Sequence, residues 1–87
     1  MKPLLNTLFV TSEDIYLTLD GENVVASRGK EAVARYPLHT LQGIISFSYA
    51  GASPALMGAC AERDIGLVFC SPRGRFLARV SGESRGN

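Results

Sequence analysis

Residues 49–82, YAGASPALMGACAERDIGLVFCSPRGRFLARVSG, decide the fold of this 87-residue chain. Their first part predicts a helix over Pro54–Arg63 with Ser53 as its cap, because serine accepts from the free first-turn amides and proline has no N–H to leave unsatisfied there. One face of this helix carries Leu56, Ala59, Cys60 and the stem of Arg63. Gly58 and the alanines of this segment have small side chains, so the helix is expected to pack close to a sheet.

Apolar strands are predicted before and after this helix. Residues 44–47 form a short β-branched and aromatic run, and residues 65–70 are almost wholly apolar, as in a strand that is covered on both faces. A strand, a helix and a strand in so short a span predict a parallel pair with a right-handed crossover. Residues 71–74 then turn the chain into a last strand at 75–80, which completes a terminal hairpin.

The first half of the chain predicts a three-stranded antiparallel meander. Its strands are residues 15–19, 24–27 and 32–36. Gly21 stands in the first connecting turn, where it can take the positive φ that tight hairpins require. Together the patterns indicate an α+β fold that is mainly antiparallel β, with residues 1–82 as one β-rich domain and residues 83–87 as the start of a linker.

Composition places the chain among small globular domains. It is 46% hydrophobic and 20% charged with a net charge of +1, which excludes a disordered protein. Residues 1–62 carry a charge of −2 and residues 63–87 carry +3, and a basic end fits contact with a polyanion or a solvated surface equally well. Two cysteines, no signal peptide and no apolar run of membrane-spanning length predict a cytoplasmic protein without membrane contact.

Few side chains have the chemistry of a catalytic centre. His39 is the only histidine, and its expected place in a turn favours a surface role over catalysis. Cys60 and Cys70 lack the spacing of zinc ligands and are expected to be buried and reduced. The loop before the helix lacks the Gly-Lys-Ser/Thr of a phosphate-binding loop, so Ser53 is expected to cap the helix only. We assign no catalytic residue and no metal ligand.

Three arginines of the terminal hairpin are the candidate binding residues: Arg73, Arg75 and Arg79. If the hairpin is regular, the three side chains share one face. Guanidinium groups on such a face can bind phosphates in a salt-dependent, sequence-independent way. The same charges would also keep an exposed sheet edge soluble. The residue types alone leave both interpretations open.

Three segments also carry a resemblance to a known family: LNTLFVTSEDIYLTLDGENV (residues 5–24), GASPALMGACAERDIGLVF (51–69) and GRFLARVSG (74–82). In this order they resemble the N-terminal β domain of CRISPR-associated protein one, the metal-dependent endonuclease and integrase of spacer acquisition. The resemblance covers essentially all 87 residues and is nearest to the I-C-type members.

The resemblance implies more than the residues themselves do. Members have a β-rich N-terminal domain and then a helical catalytic domain. They form homodimers largely through the N-terminal domains, and two dimers flank a dimer of a small ferredoxin-like partner. The complex holds double-stranded DNA and inserts it into the CRISPR array, with a divalent metal (Mg or Mn) bound by Glu, His and Asp of the helical domain.

No residue of this chain matches those metal ligands. The resemblance therefore implies a dimerisation and scaffold domain that is catalytically inactive alone, and the residue pattern of the hairpin makes Arg73, Arg75 and Arg79 the candidate DNA contacts. Two functions of other classes stay open. A freestanding nucleic-acid-binding module would be monomeric with steep salt dependence, and a freestanding protein-interaction module of the toxin–antitoxin kind would need no further domain.

Overall fold

The computed structural model describes residues 3–4 and 6–82. The elements of this part of the chain, in order, are β1 (Pro3–Leu4), β2 (Thr7–Val10), β3 (Ile15–Asp20), β4 (Asn23–Arg28), β5 (Glu31–Pro37), a 3-10 turn (Leu38–Thr40), β6 (Gly43–Ser46), α1 (Pro54–Glu62), β7 (Gly66–Cys70) and β8 (Phe76–Val80). The linker expected at residues 83–87 lies outside the described residues.

The strands form two sheets. The larger one has five strands in the order β1-β2-β6-β7-β8, and the smaller one has three in the order β3-β4-β5. Strands β2, β6 and β7 run parallel to one another, and the other neighbours are antiparallel. The predicted α+β class, mainly antiparallel, is confirmed, as is the parallel pair on either side of the helix.

The meander formed by β3, β4 and β5 is confirmed with boundaries close to those predicted. Gly21 has φ +61° in the first turn and Gly29 has φ +60° in the second, a conformation that side chains with a Cβ rarely adopt. A register shift between Ala26 and Ser27 bends the second pairing. Local turn chemistry and alternation were therefore enough to predict this sheet.

The helix begins where the sequence predicts. The Ser53 hydroxyl accepts from the Leu56 amide at 3.2 Å, which is the expected N-cap bond. The helix ends at Glu62, one residue before the predicted end, because Arg63 leaves helical geometry and Asp64 has φ +55°. The predicted inner face is also confirmed, with these residues buried: Leu56, Ala59 and Cys60.

The core lies between the two sheets, and α1 packs against β3, β7 and β8. Both sheets contribute their inward-facing apolar side chains to it. The members that are fully shielded from solvent include Leu8, Val10, Ile15, Leu17, Ile44, Leu56, Cys60 and Leu67. Burying a side chain of the size of Leu stabilises the fold by about 1.5–3 kcal/mol, so this single layer of contacts is the main source of stability.

Main-chain hydrogen bonds join β3 to the segment just before α1. The Leu17 amide donates to the Gly51 carbonyl at 3.0 Å, and the Ser53 amide donates to the Leu17 carbonyl at 2.8 Å. Ala52 lies between them in a parallel bridge with Leu17. The segment before the helix is thereby fixed to β3, which sets where α1 begins.

One expectation about β7 is wrong. The apolar run at residues 65–70 suggested a strand covered on both faces, yet Leu67 is fully buried while Val68 and Phe69 remain partly exposed. Among the described residues, α1 and the meander cover one face of the larger sheet. Parallel strands are normally covered on both faces. The apolar composition of β7 is that of such a strand, although the described residues cover only one of its faces.

Candidate interaction surfaces

The uncovered side of the five-stranded sheet, called the outer face below, is apolar. Phe9, Ile45 and Val68 lie side by side on it, because Ile45 is the register partner of Phe9 on one side and of Val68 on the other. All three are partly exposed, whereas the residues that alternate with them, Leu8, Ile44 and Leu67, are fully buried. The outer face therefore presents a row of apolar side chains across the three parallel strands.

Two neighbouring glycines keep one end of the outer face flat. Gly43 and Gly66 are register partners, and a Cβ placed on Gly43 would lie 3.5 Å from the Gly66 carbonyl oxygen. A Cβ placed on Gly66 would lie 3.8 Å from the Arg79 Nη2 atom. Arg79 is thus the charged border of this flat apolar surface.

Strand β8 forms an edge of the same sheet and is exposed over most of its length. Phe76 is 61% exposed and Leu77 is 46% exposed, although both are large apolar residues in a regular element. An exposed edge of this kind leaves main-chain N–H and C=O groups open for pairing. The sequence pattern predicted the strand but not that it would lie at the edge.

The three candidate arginines do not share a regular strand face. Arg73 and Arg75 lie in the connection before β8, and only Arg79 lies within the strand. Phe69 is opposite Ala78 while Cys70 is opposite Phe76, so Leu77 is an extra residue in the ladder. The condition of a regular hairpin is therefore not met, because this bulge interrupts the alternation on which the one-face arrangement depended.

The turn that carries Arg73 and Arg75 is held by Ser71. The Ser71 amide donates to the Arg75 carbonyl at 2.7 Å, and the Ser71 hydroxyl accepts from the Arg75 amide at 3.0 Å. The Gly74 amide donates to the Ser71 carbonyl at 2.8 Å, and Gly74 has φ +94°. The backbone beneath the two guanidinium groups is consequently well ordered.

Charge pairing separates the hairpin arginines from the others. Arg28 binds Asp14 at 2.8 Å, Arg35 binds Asp20 at 2.7 Å, and Arg63 binds Glu22 at 2.9 Å. Within residues 3–4 and 6–82, the guanidinium groups without a carboxylate partner are those of Arg73, Arg75 and Arg79. Their charge is available to an anion from outside the chain.

The groups that could react or bind metal do not converge. Over the described ranges 3–4 and 6–82, no three His, Cys, Asp or Glu side chains lie close enough to share a metal ion. His39 is exposed in the 3-10 turn, and Cys60 and Cys70 are buried free thiols. Because three of the turn carboxylates bind arginines, these residues do not fit the divalent metal that the resemblance implies for the full-length family.

Burial also governs the chemistry of Cys60. Loss of solvation raises the pKa of its thiol, and the positive charge of nearby Arg63 opposes that rise only in part. A thiol with a raised pKa is a poor nucleophile and a poor metal ligand. Cys60 therefore acts as an apolar core residue.

A shallow open cleft of about 270 Å³ lies between the end of α1 and the end of β8. Arg79 and Asp64 line it together with the main chain of Gly82. A Cβ on Gly82 would lie 3.0 Å from the Ala61 carbonyl oxygen, so the chain passes the helix end at close range. The cleft adjoins the arginine border of the outer face.

Comparison with protein families gives a single assignment. A family model described as CRISPR associated protein Cas1 matches residues 8–87. CRISPR-associated endonuclease Cas1 1 of Chlorobaculum tepidum is 42% identical over 87 residues, and Cas1 2 of Rhodospirillum rubrum is 46% identical over the same length. These alignments cover 100% of this chain and 25% of each relative. The chain spans about a quarter of the length of the curated relatives it matches.

Solved structures share the fold. A Cas1 protein from Thermotoga maritima superposes with a TM-score of 0.76 at 11% identity, over 93% of this chain and 26% of that chain. A partial Cas6-RT-Cas1–Cas2 complex gives 0.77 at 15% identity, over 90% of this chain and 24% of the other. A casposase bound to integration product gives a TM-score of 0.65 at 16% identity, over 93% of this chain and 25% of that chain.

Among the described residues, no helix has the length and apolar character needed to cross a membrane.

Proposed function

Because this chain belongs to the Cas1 family of CRISPR-associated proteins, we propose that it is the dimerisation and scaffold domain of an integrase that inserts spacers into a CRISPR array. The chain corresponds to the N-terminal region of Cas1. The catalytic step and its divalent metal are assigned to the remainder of such a protein. The chain alone is therefore expected neither to cleave nor to join DNA.

The outer face of the five-stranded sheet is the observation that carries this proposal. Phe9, Ile45 and Val68 form an apolar row on three parallel strands, and among the described residues α1 and the meander cover these strands from the other side only. Exposed contiguous apolar surface on a small domain marks an interaction site, and strands of this kind are normally covered on both faces. A second copy of the chain is the proposed cover, because Cas1 proteins occur in multi-subunit complexes among the structural neighbours.

The size of the outer face sets the strength of the expected contact. Apart from the two-residue β1, the sheet has four strands of four to five residues, and at about 4.8 Å between strands and about 3.3 Å per residue they give a footprint of about 19 by 15 Å. That area is at or below the low end for specific protein interfaces. The isolated chain should therefore form a dimer that dissociates at micromolar concentrations, rather than an obligate one.

Sedimentation velocity across a concentration series tests the dimer. The wild-type chain should shift from monomer to dimer, and Val68→Lys or Ile45→Lys should remain monomeric with an unchanged circular dichroism spectrum. Tyr16→Lys is the matched control, because Tyr16 is 39% exposed but belongs to the meander. A wild-type chain that stays monomeric at high micromolar concentration would contradict the scaffold function, and a dimeric Val68→Lys would contradict the outer face as its site.

DNA is the second proposed partner, with Arg73, Arg75 and Arg79 as the contacts. Their lack of carboxylate partners among the described residues supports this role. Arg75 and Arg79 are four residues apart, about 13 Å along an extended chain, so they would contact separate phosphates. The role predicts weak binding that falls steeply with salt.

Charge reversal tests the DNA contact. Arg75→Glu combined with Arg79→Glu should abolish binding of duplex DNA at low salt. Lys30→Glu combined with Arg35→Glu changes the net charge by the same amount on the other sheet and should reduce binding far less. Equal loss in the two double variants would show that net charge, not the hairpin, governs binding, and unchanged binding in the first would remove the DNA role.

Three finer assignments belong to the same proposal. The small ferredoxin-like subunit would be Cas2, which stands beside Cas1 in complexes of similar fold. The chain would act in the cytoplasm, where the CRISPR array lies. Membership of the I-C type rests on the three resembling segments, and the genes that flank its CRISPR array would test it.

A further inference from the structure

We propose that β8 also accepts an extended acidic segment of a partner protein, which adds to the sheet as a further strand. Strand β8 is the end of the order β1-β2-β6-β7-β8, and no described strand lies beyond it. Its outer main-chain groups can therefore form a second ladder of hydrogen bonds. This inference does not depend on the dimer proposed above, and an acidic segment would compete with DNA for Arg75 and Arg79.

The side chains of β8 differ from those of a protected edge. Natural edges are blunted by charges, prolines or bulges, and exposed large apolar residues are avoided there. Strand β8 has the bulge, yet it exposes Phe76 at 61% and Leu77 at 46%. Strand β5, an edge of the other sheet, is nearer the usual pattern: it exposes Val33 at 40%, but it has charges of both signs and its Arg35 is paired with Asp20. The apolar surface of β8 is thus a local feature that a partner would cover.

Charge selects the kind of partner. Arg75 precedes β8 and Arg79 lies near its end, and neither has a carboxylate within the described part of the chain. A segment with apolar residues between carboxylates would cover exposed surface of Phe76 and Leu77 and would bring a carboxylate to Arg79, the arginine within the strand. Paired charges of this kind also fix the register of the added strand.

Two other occupants match β8 less well. In a second copy of this chain, an antiparallel pairing of the two Phe76–Val80 strands would place Leu77 opposite Arg79 and would bring no carboxylate to Arg75 or Arg79. Duplex DNA would neutralise the arginines. It has no strand to pair with the free main-chain groups, however, and it would leave Phe76 exposed.

The probe for this proposal is a blocked peptide of alternating glutamate and valine. Added to the 87-residue chain, it should slow hydrogen exchange at alternate amides of Phe76–Val80, since a new ladder protects every second residue. The same peptide with its central valine replaced by proline should bind at least about tenfold more weakly and protect none of these amides, because proline removes a ladder hydrogen bond. Peptide binding without protection in β8 would overturn the proposal.

A charge swap identifies the partner residues. The Arg79→Glu variant should bind the glutamate peptide about tenfold or more weakly than the wild-type chain does. It should bind the matching lysine–valine peptide more tightly, as expected for opposed charges. Lys30→Glu is the control, because Lys30 is exposed in the β4–β5 turn, and it should leave both affinities within about twofold. Phe76→Ser should lower the affinity for the glutamate peptide and leave the affinity for duplex DNA unchanged. If Arg79→Glu abolishes binding of a duplex but not of the glutamate peptide, the edge has no acidic-strand site.

Discussion

The hydroxyl oxygen of Ser48 lies 2.7 Å from the carbonyl oxygen of Ile15, across 33 residues of sequence. The same oxygen lies 2.7 Å from the Glu13 carbonyl and accepts from the Ala50 amide at 3.1 Å. Its proton is thus shared between two carbonyl groups at the start of β3, and Ser48 is only 2% exposed. This one side chain fixes the loop after β6 to the meander.

Ser48→Ala should lower the free energy of unfolding by about 1–3 kcal/mol, because it leaves buried main-chain groups without a partner. Urea denaturation followed by circular dichroism measures the change. Ser81→Ala is the control, since Ser81 is exposed after β8 and should change stability by less than about 0.5 kcal/mol. Equal stability in the two variants would mean that water replaces the lost hydroxyl.

Ser53→Ala should lower the free energy of unfolding by about 1 kcal/mol, because the Leu56 amide loses its cap acceptor. Ser53→Asp should retain most of the stability, since aspartate caps equally well and its charge favours the helix N-terminus. Thermal denaturation of the wild-type chain, Ser53→Ala and Ser53→Asp ranks the three proteins by stability. If Ser53→Asp melts as early as Ser53→Ala, the cap is not the source of the effect.

Asp64 has φ +55°, a left-handed conformation that glycine adopts freely, asparagine and aspartate at some cost, and β-branched residues rarely. Asp64→Gly should therefore leave stability unchanged or raise it by up to about 1 kcal/mol, whereas Asp64→Val should lower it by about 1–2 kcal/mol. Chemical denaturation of both variants checks the sign. A stabilised Asp64→Val would show that this residue leaves the left-handed conformation in solution.

Duplex binding should depend on salt in proportion to the phosphates contacted. Three arginine contacts predict a slope of log K against log salt of about −2.7, and Arg79→Gln should reduce its magnitude by about 0.9. Fluorescence anisotropy over a salt series measures both slopes. Lys30→Gln should leave the slope unchanged, and a wild-type slope near zero would remove the arginine contacts.

The pKa of the Cys60 thiol is raised by burial. An acid whose pKa is higher in the folded state keeps its proton there, so its contribution to stability is complete below the unfolded thiol value of about 8.5 and is lost as pH rises through the folded one. Folding free energy of the wild-type chain should therefore fall more steeply above pH 9 than that of Cys60→Ala. If the free energy of unfolding falls equally with pH in the wild-type chain and in Cys60→Ala, the contribution of the Cys60 thiol is contradicted.

Local patterns in the sequence predicted most of the elements. Ser53 and Pro54 marked the helix start, and Gly21 marked a turn of the meander, because caps and turns depend on a few adjacent residues. The parallel pairing of β2 with β6 had no such signal, since it joins Phe9 to Ile45 through contacts far apart in the chain. Strand β1 was not predicted at all, because a two-residue strand has no periodicity to detect.

The candidate site was predicted less completely than the fold. The apolar run that contains Val68 predicted a strand covered on both faces. In the structure, the described residues cover only one face of this strand. The expected arginine face failed for a different reason, because residue types do not reveal the bulge at Leu77. Exposure of Phe76 was equally hidden, since an edge strand and a central strand can have the same sequence pattern.

The bonds between β3 and the segment just before α1 consist of main-chain atoms, as Leu17 bonds to Gly51 and Ser53 through amide and carbonyl groups. Substitution changes side chains and leaves such bonds in place. The attachment of the helix start to β3 therefore survives many substitutions, although Leu17 is confined by its burial and Ser53 by its role as the helix cap. A fold retained at 11% identity with a TM-score of 0.76 is the outcome that such mutational tolerance would produce.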